Sequence, residues 1–197
     1  MLKGKKIFLR PVESSDAEIL HKWENDKSNW QVSGTKKPFN KKEIKKFISN
    51  QKDIYLDKQL RLMIYISPAH LVSDSSLQAK KRRMRETENE RNYNSMIGCI
   101  DLFDFDNHHR KAGIGILIAD KKNRRKGYAS EALKLLIDHS FNKLHLHQLY
   151  CNITKDNISS LKLFSKHKFK STGKKKDWII FGKKFKDEYI LQLINKY

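Results

Sequence analysis

Cysteine is scarce in this sequence, and long apolar runs are absent. Its two cysteines, Cys99 and Cys151, each lie in an apolar, strand-like run of the 197-residue chain. Two cysteines form no disulfide framework and cannot supply four thiolates to a zinc ion, so no metal is expected. No run of about 18 apolar residues occurs, so no transmembrane helix is expected. These absences exclude a disulfide-rich secreted domain and argue against a membrane protein.

The N-terminal segment does not resemble a signal peptide, because it has neither the apolar core nor the small-residue cleavage site of one. We therefore expect a cytoplasmic protein with two reduced, buried thiols. Leu, Ile, Val and Phe make up 52 of the 197 residues, which is enough to exclude a disordered chain. The length fits one domain over residues 1–197.

Positive charge is abundant: 42 lysines and arginines face 22 acidic residues, which gives a formal net charge of +20. Such a field attracts phosphates, nucleic acid or acidic surfaces. The alternative is a lysine-rich composition spread over solvated faces. Since the basic residues are scattered along the whole chain, both interpretations stay open.

Apolar patterning predicts a mixed α/β domain built on one split sheet. A capping-box spacing at Ser15 and Glu18 predicts one helix start, and the same spacing at Asn40 and Glu43 predicts a second. Two further helices are predicted over 128–142 and 157–167. The predicted strands are 7–11, 60–67, 96–105, 112–119, 148–154, 177–181 and 188–194.

A charged insertion at about 68–94 interrupts this pattern between two strands. Its centre, Lys80–Arg91, holds six basic and three acidic residues, which favours a solvated segment. The alternative is a basic arm that docks on an acidic partner. The stretch Lys166–Lys176, with six lysines and no acidic residue, is open to the same two interpretations.

The segment Arg124–Ser130 is the most informative part of the chain, because it joins an apolar strand to a strongly periodic helix. The first backbone N–H groups of a helix have no partner within the helix, and the dipole is positive there. Gly127 permits a close approach of the backbone to a ligand, and Arg124, Arg125 and Lys126 add positive charge. This combination is typical of a pyrophosphate-binding turn.

The motifs around this turn resemble those of the GCN5-related N-acetyltransferase (GNAT) superfamily. Arg124-x-x-Gly127-x-Ala129 is similar to the family's Arg/Gln-x-x-Gly-x-Gly/Ala motif, and Asn157-x-x-Ser160-x-x-x-Phe164 is similar to the second half of its acetyl-CoA site. Within the family, the chain looks most like the branch of spermidine acetyltransferases and ribosomal-protein N-terminal acetyltransferases. The resemblance implies the GNAT fold, a central mixed, mostly antiparallel split β-sheet flanked by helices.

The resemblance also implies roles in binding acetyl-CoA. The backbone of the three consecutive residues 116–118 should hydrogen-bond the pantetheine arm like an added strand. The backbone N–H groups of the turn Arg124–Ser130 should hold the pyrophosphate. Asn157 should contact the pantetheine or phosphate region, with Ser160 nearby. Tyr128 and Phe164 are interpreted equally well as plain core residues. The residues implied for the cofactor are Ile116, Leu117, Ile118, Arg124, Arg125, Lys126, Gly127, Tyr128, Ala129, Ser130 and Asn157.

The catalytic residues are less certain because the chain departs from the family pattern. Phe164 stands where many relatives have the tyrosine that protonates the departing thiolate. A thiol leaves reasonably well without an acid, and backbone donors, Ser160, Ser165 or water could substitute for the tyrosine, as could Tyr150 from the neighbouring strand. Asp101 is the candidate base, or the anchor for a cationic amine. It could equally be a carboxylate at the rim of a solvent-exposed face.

The sequence therefore predicts an acetyl-CoA-dependent N-acetyltransferase that acts on a primary amine by direct attack in a ternary complex. The acceptor would be a polyamine, a protein N-terminus or an amino sugar. A homodimer or higher oligomer is compatible with this prediction, while nucleic-acid or ribosome contact is less favoured. The alternative function is a non-catalytic module of the same fold that binds nucleic acid or an acidic protein through its basic surface.

Overall fold

The computed structural model describes residues 1–33, 35, 37–51, 53–68, 70 and 95–196. An eight-stranded sheet with the order β1-β2-β3-β4-β5-β6-β8-β7 forms its centre. The β5–β6 pair is parallel and the other neighbouring pairs are antiparallel. The strands are β1 Leu2–Lys3, β2 Ile7–Pro11, β3 Leu60–Ile66, β4 Met96–Asp106, β5 Lys111–Ile118, β6 Gln148–Thr154, β7 Lys170–Phe181 and β8 Lys184–Ile194. The predicted mixed, mostly antiparallel sheet is confirmed.

Helices lie before, between and after these strands. They are α1 Ala17–Asn25, α2 Lys27–Ser33, α3 Lys41–Asn50, α4 Ile54–Asp57, α5 Tyr128–Asn142 and α6 Ile158–Lys166, with short 3-10 turns at Ser14–Asp16 and Lys121–Asn123. The helix predicted over 128–142 is confirmed at both ends. The helices α2 and α4 were not predicted, because both are too short to show a clear apolar period.

One of the two predicted capping boxes is wrong. The Asn40 box is confirmed, since its side chain accepts the Glu43 N–H at 2.9 Å and the Glu43 carboxylate accepts the Asn40 N–H at 2.7 Å. At the first helix, however, the carboxylate of Asp16, and not that of Glu18, accepts a backbone N–H, from Glu13 at 2.8 Å. The reason is an ion pair, because Arg10 holds Asp16 at 2.7 Å in a buried position.

Helices cover both faces of the sheet. The alternation of side chains along β3 separates Leu62, Ile64 and Ile66, which face one core, from Met63 and Tyr65, which face the other. The first core includes residues of α5 and α6, such as Leu133, Leu136 and Phe164. The second packs against α1 and α3 through side chains such as Leu20, Trp23, Ile44 and Ile48. The result is a three-layer α/β arrangement.

The sheet splits between its two parallel strands, as predicted. Only Lys111–Gly113 of β5 pairs with β6, through Gln148–Tyr150. Beyond these residues β5 continues to Ile118 while still paired with β4, and β6 continues to Thr154 while paired with β8. The second half of β5 therefore has one edge without a neighbouring strand.

The C-terminal strands form a longer hairpin than the pattern predicted. β7 starts at Lys170 rather than at 177, and β8 starts at Lys184 rather than at 188. Part of the predicted basic stretch thus lies in a strand, where Lys174 pairs with Asp187 at 3.2 Å and Lys175 pairs with Glu188 at 3.1 Å. The Lys80–Arg91 centre of the insertion lies outside the described residues. Within the described ranges, no helix is long and apolar enough to cross a membrane.

Candidate active site

The turn before α5 contains two residues in the left-handed conformation. Gly127 is the N-cap of α5 with φ of 88°, and Arg125 has φ of 62°. Glycine adopts the left-handed conformation at little cost, whereas most other residues are strained in it. The two left-handed residues turn the chain sharply into the helix, and the start of α5 lines the same groove as Ile116–Ile118 of β5.

Arg124 has a structural role in this turn. Its Nε donates to the carbonyl oxygen of Ile118 at 3.0 Å, and one terminal nitrogen donates to the side-chain oxygen of Asn29 at 3.3 Å. Asn29 is itself buried and donates to the carbonyl oxygen of Trp23 at 3.3 Å. The guanidinium thus fixes the turn to the end of β5 and to the α1–α2 region.

The N-terminal strands brace the same turn from the other side. Lys6 Nζ donates to the carbonyl oxygen of Lys126 at 3.2 Å. In the first turn of α5, the Glu131 carboxylate accepts the backbone N–H groups of Lys5 and Lys6. Gly4 allows this approach, since a Cβ atom there would lie 2.3 Å from Glu131 Oε1. The turn is therefore held in place before any ligand binds.

A groove of about 580 Å³, called here the α5 groove, follows this turn. The predicted residues that line it are Ile116, Leu117, Ile118, Arg124, Arg125, Gly127, Tyr128, Ala129, Ser130, Asn157 and Ser160. Four further lining residues were missed, because no motif marks them: Lys121, Asn123, Ser159 and Leu163. Tyr128 lines the groove and also belongs to the core, so the interpretation as a cofactor-site residue and the interpretation as a core residue are compatible. The hydroxyl of Ser130 is hydrogen-bonded to His167 Nε2 at 2.8 Å.

The free edge of β5 presents its backbone groups in alternation. Leu117 faces β4, because its carbonyl oxygen lies 1.9 Å from the position that a Cβ atom on Gly98 would occupy. Ile116 and Ile118 therefore point their backbone groups away from β4, into the split. The Ile118 carbonyl is taken by Arg124. Of the three predicted residues, Ile116 and Ile118 can bind an added strand through the backbone, while Leu117 contributes only its side chain.

A small cavity of about 140 Å³, called here the splay cavity, lies where β5 and β6 separate. Ser160, Phe164 and Asn157 line it, as do Asn152 and Glu188, which the sequence reasoning missed. Phe164 is buried and meets Phe169 edge to face with ring centroids 5.0 Å apart. Asn157 caps α6 by accepting the Ser160 N–H at 3.2 Å. Phe164 is thus both a core residue and part of the cavity wall.

A larger cavity of about 710 Å³ opens on the other side of β5, and we call it the acidic cavity. Among the described residues, those that line it with a charge are Glu24, Glu43 and Asp101 against Lys37 and Arg61, an excess of one negative charge on a chain with net charge +20. Ile116 lines all three cavities, and Leu117 lines both the α5 groove and the acidic cavity, so the three cavities adjoin one another along the second half of β5.

Asp101 lies in this cavity, but its carboxylate has a strong partner. Both of its oxygens accept from Arg61, at 2.8 and 2.9 Å, and the third nitrogen of the same guanidinium donates to Glu24 at 2.8 Å. The side chain of Asp101 is 18% exposed, so the interpretation as a rim carboxylate on a solvent face does not describe it. Asp101 remains a candidate base or amine anchor that acts within a three-residue ion network.

Arg61, at the centre of this network, keeps its charge at neutral pH. Burial acts to lower the pKa of Arg61, but Asp101 and the other negative groups around it hold that pKa well above its usual value. Burial also raises the pKa of the neighbouring Cys99 thiol to about 12, so this thiol stays neutral. Arg61 lies over the Phe47 ring, 4.8 Å from its centroid. Two carboxylates therefore share one fixed cation in the wall of the acidic cavity.

Tyr150, one of the residues considered for protonating a leaving group, donates its hydroxyl to Asp104 at 2.8 Å. Burial, together with this hydrogen bond, raises the pKa of Tyr150, so the hydroxyl keeps its proton and stays on Asp104. Among the described residues, no group of three or more His, Cys, Asp or Glu side chains is placed to hold a metal ion.

Comparisons with known proteins agree with this geometry. A family model described as an acetyltransferase (GNAT) domain matches residues 6–170. A probable N-acetyltransferase from Bacillus subtilis, YjcK, is 22% identical over 99% of this chain and 97% of that protein. Spermidine N(1)-acetyltransferase from Escherichia coli is 24% identical over 88% of this chain and 77% of that protein. The crystal structure of spermidine N-acetyltransferase from Vibrio cholerae with CoA and spermine superposes with a TM-score of 0.76, 17% identity and coverage of 97% and 96%.

Proposed function

Because this chain belongs to the GNAT family of acetyltransferases, we propose that the α5 groove and the splay cavity bind acetyl-CoA, and that the acidic cavity binds a polyamine. The position of Ile116 in the lining of both the groove and the acidic cavity carries this proposal, because a donor and an acceptor bound there would lie side by side at this residue. The family is one of enzymes, so catalysis is favoured over a purely binding role.

The donor site is built from backbone groups. The N–H groups at the start of α5 and the cationic turn suit a pyrophosphate. The open backbone of Ile116, together with the N–H of Ile118, suits the amide groups of a pantetheine arm that extends the sheet. Asn157 and Ser160 line both the groove and the splay cavity, which is where the thiol end would lie.

The acceptor site has the charge that a cationic amine requires. In the described part of the lining, three carboxylates, Glu24, Glu43 and Asp101, face the two cations Lys37 and Arg61. A local negative field can attract a polyamine even though the chain as a whole is positive. The spermidine acetyltransferases among the relatives support this class of substrate.

The proposed reaction joins the amine nitrogen to the acetyl carbon and breaks the carbon–sulfur bond. Acetyl-CoA supplies the activated thioester. An alkyl ammonium with a pKa near 10.4 is neutral in only about 1 of 2,500 molecules at pH 7, so its proton must leave the nitrogen. The Asp101–Arg61–Glu24 network offers carboxylate oxygens to accept that proton directly or through water. The Ile116 N–H faces the split, where it can stabilise the negative charge that develops on the carbonyl oxygen.

A substitution of Phe164 tests whether the CoA thiolate needs a protonating side chain in order to leave. We expect Phe164→Tyr to stay active, with kcat within about tenfold of the parent value. A thiol with a pKa near 8.5 leaves readily without an acid, and the new hydroxyl would face the splay cavity. Steady-state kinetics of CoA release measures this effect. Phe169→Tyr is the matched control, because this ring is also buried and contacts Phe164. Its new hydroxyl would be buried without a partner, so we expect this variant to lose about 1–3 kcal/mol of stability. Complete loss of turnover in a folded Phe164→Tyr protein would contradict the placement of this ring beside the thiol.

The proposed substrate class is tested by an amine panel. CoA release is measured with spermidine and spermine, with peptides that have free N-termini, and with amino sugars. We expect kcat/KM for the polyamines to exceed the other values by at least about tenfold, and Glu24→Gln to lower it. Turnover restricted to peptides or sugars would overturn the polyamine assignment, and binding of acetyl-CoA without turnover of any amine would overturn the catalytic role.

A further inference from the structure

The tip of the β7–β8 hairpin exposes an unusual amount of apolar surface. Ile180 lies opposite Phe185 in the register, and these side chains are 62% and 60% exposed, while Trp178 is 59% exposed. Residues two apart on one strand share a face, so Trp178 is on the same side of the hairpin as Ile180. Large apolar side chains grouped in this way mark an interaction surface more often than isolated ones do.

The same tip is strongly basic. Six lysines and one aspartate lie within 174–186. Three of the lysines are paired inside the chain: Lys174 with Asp187, Lys175 with Glu188 and Lys186 with Asp156. Lys176, Lys183 and Lys184 are exposed around the apolar residues. A partner for this tip must therefore offer apolar surface with negative charge around it.

This chain carries a surface of that description, which we call the α4 patch. Leu56 is 80% exposed and Tyr55 is 45% exposed, and Asp53 and Asp57 flank them. Tyr55 packs edge to face on Phe105, with ring centroids 5.2 Å apart, which brings α4 next to the end of β4. Two more carboxylates, Asp104 and Asp106, lie there in a shared cavity with Lys58. A backbone hydrogen bond from His109 lowers the pKa of Asp106 and keeps it charged.

The two surfaces lie at opposite ends of the sheet. The α4 patch adjoins the end of β4, and the β4–β5 turn leads to Lys111, which pairs with Gln148 at the start of β6. Gln148 in turn pairs with Ile194, at the end of β8 farthest from the hairpin tip. The tip is thus separated from the patch by the length of the strands and cannot reach it within one chain.

We propose that the hairpin tip of one copy docks on the α4 patch of a second copy, so that the chain associates head to tail. The apolar side chains of the tip then meet those of the patch, and the lysines of the tip meet the aspartates of the patch. This charge complementarity steers association and sets its orientation. A nucleic acid or an anionic membrane matches the charge of the tip but leaves the α4 patch uncovered, whereas a second copy of the chain covers both surfaces. A contact of this heterologous type closes into a ring or extends into a filament, according to the rotation between copies.

The experiment breaks each surface separately in the full-length chain. Phe185→Glu places a negative charge in the tip, and Leu56→Lys places a positive charge in the patch. Both side chains are exposed, so folding should be unaffected, which circular dichroism verifies. Sedimentation velocity over a concentration series is expected to show self-association of the parent, weakened by about 30-fold or more in each variant. Lys143→Glu, an exposed charge reversal elsewhere, should leave association unchanged.

Mixing the two variants gives the decisive result. Phe185→Glu keeps an intact patch, and Leu56→Lys keeps an intact tip, so an equimolar mixture should form a one-to-one dimer through one intact junction. Loss of association in the tip variant alone, with no effect of Leu56→Lys, would show a tip-to-tip contact and overturn the proposal. A parent protein that stays monomeric up to about 100 µM also overturns it. In that case, binding to phosphatidylserine vesicles or to poly(U), lost in Phe185→Glu, would assign the tip to an anionic partner.

Discussion

Replacement of Gly98 by alanine is expected to abolish measurable acetyl-CoA binding and to destabilise the chain strongly. A Cβ atom at this position would lie 1.9 Å from the carbonyl oxygen of Leu117 and 3.1 Å from the Cα of Ile118. Both neighbours are backbone atoms, which have no alternative rotamer. The β4 and β5 strands must therefore move apart, at a cost of about 3 kcal/mol or more. The displaced residues adjoin Ile116, whose open edge forms the proposed pantetheine site.

A second glycine supplies the matched control for this prediction. Gly173 also lies in a strand, β7, but a Cβ atom there would meet only Ile190 Cδ1, at 3.9 Å. Gly173→Ala should therefore change the free energy of unfolding by less than about 1 kcal/mol and leave donor affinity intact. Urea unfolding and calorimetric titration with CoA measure the two quantities. Equal behaviour of the two alanine variants would show that the close approach of β4 and β5 is not what shapes the donor site.

Replacement of Arg61 by methionine is the second change with a large expected effect. The guanidinium contacts Asp101 and Glu24, whose side chains are only 18% and 11% exposed. Without it, two poorly hydrated carboxylates lose their common counter-ion, which costs about 3–5 kcal/mol when one partner of a buried pair is removed. Urea unfolding should show this loss. Where the variant folds, kcat/KM for the amine should fall by at least about 100-fold, because the carboxylates are no longer held in place.

The two consequences of this substitution can be separated. Adding Glu24→Gln and Asp101→Asn to Arg61→Met removes the uncompensated charge, so the free energy of unfolding should recover most of its loss. Amine turnover should not recover, since the carboxylates are gone. Arg61→Lys keeps one positive charge but cannot bind both carboxylates with the same geometry, and we expect it to lie between the parent and Arg61→Met. Recovery of turnover in the triple variant would mean that the network only stabilises the fold.

The turn of the proposed donor site was the part most accessible from the sequence, because its conformation depends on local backbone chemistry. The spacing of Arg124, Gly127 and Ala129 sets the left-handed turn and the start of α5, and these features need no information from distant residues. The role of Arg124 was less accessible. Its guanidinium binds Ile118 and Asn29, and the second of these contacts joins residues 95 positions apart.

The acceptor side could not be derived in the same way. Asp101 was identified as a candidate, but its pairing with Arg61 depends on the register of β3 against β4, in which these two residues lie directly opposite each other. A pattern of apolar residues does not determine that register. The first capping box failed for a related reason, because the ion pair between Arg10 and Asp16 outweighed the local preference of Ser15. In both cases an ion pair decided the outcome, over six positions for Arg10–Asp16 and over forty for Arg61–Asp101.

The split in the sheet has a further consequence for how the chain unfolds. Only Lys111–Gly113 of β5 joins the strands β1–β5 to the group formed by β6, β8 and β7. Because so few residues pair across this seam, we expect the two groups of strands to unfold at different denaturant concentrations. A donor that bridges the seam would stabilise the closed form by about 2.7 kcal/mol at 100 times its Kd. Substrate would thus act as a folding cofactor, and the unfolding transition should become steeper and more cooperative when CoA is present.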